Sequence, residues 1–179
     1  MDDHETSSGR IEFMRNINKH VCEDQSLIFP GKLNHFQLAE EILLKKPVLK
    51  EKIRENCLIE ENRVTTALGE VIRFLNLIAY SKKRLTPSKI IDLVWHEFIL
   101  CTQTYDQFCI SNFDRFIHHD PGESSSGSDR RIDQENHKQF RLTMKLYLLH
   151  FGTPSEEFWG TVPFYGAESN CGTCQTNIF

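Results

Sequence analysis

The chain has 179 residues, 39% of them hydrophobic and 26% charged, and a net charge of −4. That is enough chain for one domain with a fair-sized core, and its acidic balance argues against nucleic acid as a partner. No run of about eighteen consecutive apolar residues suggests a membrane span, and the opening MDDHETSSGR lacks the basic start and apolar run of a secretory signal, so a cytoplasmic setting is expected. In that setting the six cysteines read as thiols or metal ligands rather than a disulfide framework. Thirteen phenylalanines against two tryptophans predict a core packed around phenylalanine, with no organic cofactor indicated.

Residues 1–10 read as a disordered start. A helical domain is expected over 11–165. Within it, Asn34 is a candidate N-cap for a helix from His35 to Lys45, and Pro47 opens another helix that runs to about Asn56. The next helix spans Glu61 to Lys82, because Val64, Leu68, Val71, Leu75 and Ile78 recur on one face. Thr86-Pro87 then reads as a cap followed by proline at the first helical position, starting a helix that reaches at least Tyr105 and extends toward Ile110. PGESSSGSD at 121–129 is a flexible loop. The last long helix runs from Arg130 to Phe151 with Gly152 closing it, and its stripe is Phe140, Met144, Tyr147, Leu148 and Phe151. Residues 166–179 form a flexible, cysteine-containing tail. Strand alternation and hairpin turns are missing, so the fold class is all-α: a single-domain bundle of four to six helices with flexible termini.

The stretch VWHEFILC at 94–101 begins like a HExxH zinc helix, but the second ligand position is Leu100, so this is not that motif. What survives is Asp92-x-x-x-His96, which places both side chains on one face, with Gln103 and Asp106 continuing roughly that side. Glu97, turned away by one helical step, is expected to be solvated. His118 and His119 follow in FDRFIHHDP. In extended chain they would point in opposite directions, one to the core and the other to the surface; in a helix they would diverge by about 100°. His96 with His118 or His119 would make a centre bridging two segments, with Asp92 as ligand or as the group that orients an imidazole. A lone histidine on an apolar face is more often structural than a ligand, so the bland reading stands beside this one. Cys171-Gly-Thr-Cys174 could clamp a metal or cycle as a redox pair, but it has no second CxxC. Cys22, Cys57, Cys101 and Cys109 read as core packing, and the run Lys82-Lys83-Arg84 as a solvated helix end.

PSKIIDLVWHEFILCTQTYDQFCISNFDRFIHHDP at 87–121 resembles the helical domain of the glycine-rich domain-containing protein-like family. The likeness is carried by Pro87-Ser88, Ile91-Asp92, Trp95-His96, Ile99-Leu100, Tyr105, Cys109, Phe116-Ile117-His118-His119 and Pro121. Arg73-Phe74-Leu75 and Phe158-Trp159-Gly160 fit more loosely, so the resemblance covers about 33–165. Two departures matter: Phe98 stands where many members have a second histidine, and Asp114 where most have glycine. The resemblance implies a helical fold and singles out Asp92, His96, His118 and His119. It implies no reaction.

Two functional expectations follow. One is a small metal-binding helical protein, with His96, His118, His119 and Asp92 around a divalent ion, zinc first; metal-bound water would then make hydrolysis the simplest chemistry, with the question of enzyme status left open. The other is a non-catalytic interaction or scaffold module for protein partners, in which the same residues form a buried hydrogen-bond network.

Overall fold

A computed structural model describes residues 29–119 and 130–161, with the helical backbone alone over 130–133. The expected flexible start, the 121–129 loop and the tail with Cys171 and Cys174 lie outside the described residues, as does Cys22. Seven α-helices occur among the described residues: α1 (His35–Lys45), α2 (Pro47–Asn56), α3 (Val64–Ser81), α4 (Lys89–Leu100), α5 (Thr102–Phe113), α6 (Arg130–Phe151) and α7 (Glu156–Trp159). Two single 3-10 turns, Pro30–Lys32 and Glu61–Arg63, complete them. The fold is all-α, and no described helix is long and apolar enough to cross a membrane.

Local signals place most of these ends. Asn34 accepts a hydrogen bond from the Gln37 amide at 3.2 Å and opens α1, and Pro47 opens α2. Helix α4 starts later than Thr86-Pro87 predicts, because Thr86 is engaged elsewhere. Its hydroxyl donates to Gln139 Oε1 at 3.0 Å, and its carbonyl accepts from Thr143 Oγ1 at 2.8 Å. Ser88 takes over the cap, accepting from the Ile91 amide at 3.2 Å while its hydroxyl donates to the Phe158 carbonyl.

The expected straight helix through 87–110 is instead two helices meeting at Cys101 (φ −84, ψ 56). No glycine or proline marks the break. It lets α5 fold back so that Trp95 Nε1 donates to Tyr105 Oη at 3.0 Å, and the Phe98 ring meets Tyr105 edge-on at 5.1 Å. Gln103 and Asp106 are thereby exposed on α5 and do not continue the Asp92–His96 side.

Helix α3 is the axis of the bundle, touched by α1, α2, α4 and α6. Val64, Leu68, Val71 and Leu75 of the predicted stripe are buried and Ile78 is half-buried, but Ala67, Gly69, Glu70, Ile72, Phe74, Asn76, Leu77 and Ala79 are buried too. A helix buried on nearly every side needs polar groups that find partners inside. Glu70 is 3% exposed and accepts from Tyr147 Oη at 2.6 Å, Trp159 Nε1 at 2.8 Å and Arg73 Nη1 at 3.0 Å. This knot ties α3 to α6 and α7. The Arg73 guanidinium also lies 4.5 Å from the centre of the Phe36 ring. Asn76 holds the buried His35 Nε2 at 2.9 Å, joining α3 to α1.

Candidate metal centre

The N-cap at Ser88 sets the rotation of α4, and with it the face that carries Asp92 and His96. Four residues apart, they stand one above the other. His96 Nδ1 lies 2.7 Å from the Asp92 main-chain oxygen and 3.5 Å from Asp92 Oδ2. The shorter contact makes Nδ1 the donor, which leaves Nε2 with its lone pair available.

His119 arrives from a different direction. Helix α5 ends at Asp114, whose φ of 54 is the left-handed conformation that glycine adopts most readily. The chain then runs extended. Arg115 Nη2 donates to the carbonyls of Ile78 and Ala79 at 3.1 and 3.2 Å, and the Ile117 carbonyl accepts from Tyr105 Oη at 2.7 Å. With Ile117 buried, alternation exposes His118 and turns His119 inward. His119 Nε2 meets Asp92 Oδ1 at 3.0 Å. Its ring packs edge-on against Trp95 at 4.4 Å and lies 4.3 Å from that of His96.

Asp92, His96 and His119 can each offer a ligand atom with all three atoms within 4.8 Å of one another. Two imidazoles and one carboxylate form a donor set suited to zinc or another divalent ion with an open position. The site is accessible: the His96 side chain is 45% exposed, that of Asp92 37% and that of His119 12%. His118 stands apart from the three, its ring 4.8 Å from Phe116, although it lines the same cleft. Of the adjacent histidines, the structure brings His119 to the centre.

That cleft measures about 1000 Å³ and runs from the triad past the end of α3 to the first described turns of α6. The Lys82-Lys83-Arg84 run, read from sequence as a solvated helix end, lines it together with Lys89 and Arg115. Sequence reasoning did not connect these cations because they come from three separate segments.

Glu97 departs from expectation. It is buried at 9% exposure, with Oε1 accepting from Asn56 Nδ2 at 2.9 Å and Oε2 without a hydrogen-bond partner among the described residues. The cause is that α4 packs on α2 as well as on α3, so a second face of it is covered. Burial, reinforced by the Glu97 carboxylate, pushes the Cys57 thiol up to about 11. The buried Cys109 thiol is also pushed up, chiefly by burial, so neither is poised as a nucleophile. Cys101 is half-buried at the helix break.

The comparisons with known proteins bear on the family. The family model described as UCP032817-like matches residues 33–148, well over half of the chain. The chain belongs to the UCP032817-like family. This corrects the expected membership of the glycine-rich domain-containing family. The motif behind that expectation is largely the joinery of one corner of the bundle: Trp95, Tyr105 and Ile117 form one hydrogen-bonded chain, and Cys109 is packed in the core beside it. No curated protein and no solved structure gives a significant match. The UCP032817-like description names no activity, and the matched span contains all three residues of the candidate centre.

Proposed function

We propose that this UCP032817-like domain holds a divalent metal ion, zinc in the first instance, through His96, His119 and Asp92. The observation that carries the reading is the convergence of two imidazoles and a carboxylate, from two separate segments, at one end of an open cleft. Asp92 serves as a ligand or as the group that orients His119. Metal-bound water facing the cleft would make hydrolysis the natural chemistry. The free thiols of Cys57, Cys101 and Cys109 suit a cytoplasmic setting.

A second reading is favoured by the hydrogen bonds themselves. His119 already meets Asp92, and His96 already meets the Asp92 carbonyl, so the three residues can serve as a clasp that pins the extended segment onto α4 in a scaffold for protein partners.

Elemental mass spectrometry on tag-free protein, purified without added metal, separates the two readings. The metal reading expects near-stoichiometric zinc, iron or manganese in the wild type and its loss in His96→Ala. It also expects chelation to lower the melting temperature of the wild type alone. No metal in the wild type, and none taken up on reconstitution, refutes it. The clasp reading expects chelation to leave the melting temperature unchanged, and His119→Ala, which removes the bond joining the extended segment to Asp92, to lower it.

A further inference from the structure

The cleft above the triad has a charge opposite to that of the chain. Five cationic side chains line it (Lys82, Lys83, Arg84, Lys89 and Arg115) against two carboxylates, Asp92 and Glu135, while the chain as a whole carries −4. The cations come from the end of α3, the first residue of α4 and the segment after α5, so no single helix accounts for the patch. Lys82 and Arg84 are already engaged in other interactions. Lys83 and Lys89 stand exposed at the rim. Arg115 is fixed in place by its two carbonyl contacts, and its Nε is buried with no hydrogen-bond partner among the described residues. Positive charges lining one cleft repel one another, and an anion bound there relieves that repulsion. The first turn of α4 adds its own partial positive charge to the same wall.

We propose that this cleft binds a small phosphorylated molecule, its phosphate held by Lys83, Lys89 and Arg115 beside the Asp92–His96–His119 centre. The inner end of the site rests on the metal reading above; the cationic rim does not. Phosphate suits the arrangement because several oxygens can accept from lysine and arginine at once while one faces a metal ion. The size points to a small molecule, since 1000 Å³ matches the upper end of small-ligand pockets, about 300–1000 Å³. A long nucleic acid would also meet the acidic remainder of the chain.

The test is calorimetric titration of the full chain with inorganic pyrophosphate at low ionic strength. It is run on metal-free protein and on protein loaded with one equivalent of zinc. The rim variant is Lys83→Glu/Lys89→Glu, with Lys83→Gln/Lys89→Gln as a milder pair. The control is Lys45→Glu/Lys46→Glu, two exposed lysines away from the cleft with the same change of charge. Circular dichroism checks that each variant keeps its helices.

Pyrophosphate is expected to bind the wild type at one site. The charge reversal should weaken it by about tenfold or more, the neutral pair by less, and the control by less than about twofold. Zinc uptake should be the same in rim variant and wild type. Absence of pyrophosphate binding in both metal states overturns the proposal, as does equal weakening in rim variant and control. So does binding of a single-stranded oligonucleotide by a protein that ignores pyrophosphate. Rim-dependent binding to a protein that takes up no zinc upholds the phosphate site and removes the metal reading. Zinc uptake without pyrophosphate binding does the reverse.

Discussion

Replacing Glu70 by alanine should cost this domain a large part of its stability. The carboxylate is 3% exposed and receives three donors: Tyr147 Oη at 2.6 Å, Trp159 Nε1 at 2.8 Å and Arg73 Nη1 at 3.0 Å. Without it, Tyr147 still accepts from Arg73 Nη1 at 2.7 Å, but the tyrosine hydroxyl proton and the Trp159 indole both lose their acceptor, and a buried donor left unpaired costs about 1–3 kcal/mol. Arg73, with its side chain 22% exposed, loses its countercharge, and breaking such a buried pair from one side costs about 3–5 kcal/mol. The two penalties overlap, and partial exposure screens the charge, so the expected loss is about 3–5 kcal/mol in all. That is a large share of the roughly 5–15 kcal/mol a domain has. Glu70→Gln retains one acceptor and should lose less, about 2 kcal/mol.

Urea denaturation followed by circular dichroism measures both variants. The matched control is Glu157→Ala. Glu157 also receives a bidentate arginine, Arg63, but both side chains are exposed, at 47% and 38%, and the loss there should be far smaller. A Glu70→Ala protein no less stable than Glu157→Ala would refute the view that burial, rather than the number of contacts, sets the worth of this knot.

Gly69→Ala should destabilise by about 1–3 kcal/mol despite alanine's better helix propensity, because the added Cβ would lie 2.3 Å from the Phe36 ring; thermal melts check the sign. Leu58→Gly should stabilise by about 0.5–1 kcal/mol, since Leu58 sits at φ 55 with 90% of its surface exposed; an unchanged or lower urea midpoint would contradict this. His35 and His150 both have their pKa lowered, first by burial, so the folded state takes up fewer protons than the unfolded chain. Their contribution is therefore present above about pH 6.5 and is lost as the pH falls below it, and His35→Gln/His150→Gln should flatten that part of the stability profile.

Helix content was legible in the chain because it depends on nearest neighbours. Asn34 with Gln37, proline at position 47 and the apolar spacing of α3 act over one or two turns, and the helices His35–Lys45, Pro47–Asn56 and Arg130–Phe151 follow from such signals. The Asp92–His96 pairing was legible for the same reason, being a property of one helix. The opposition of His118 and His119 followed only once the segment proved extended and not helical.

What the tertiary structure decided lies between segments. It chose His119 over His118, because Ile117 is anchored by Tyr105 and that anchor sets the phase of the alternation. It broke the helix at Cys101, where no breaker residue stands, because the contacts of Tyr105 with Trp95 and Phe98 require α5 to turn back. It buried Glu97 and Glu70, whose partners from other helices lie 41 to 89 residues away in the chain. It also gathered Lys83, Lys89 and Arg115 into one cleft from three segments. Periodicity reports which face of a helix is apolar. It does not report what a neighbouring helix brings to that face, because packing and charge act through space between residues far apart in sequence.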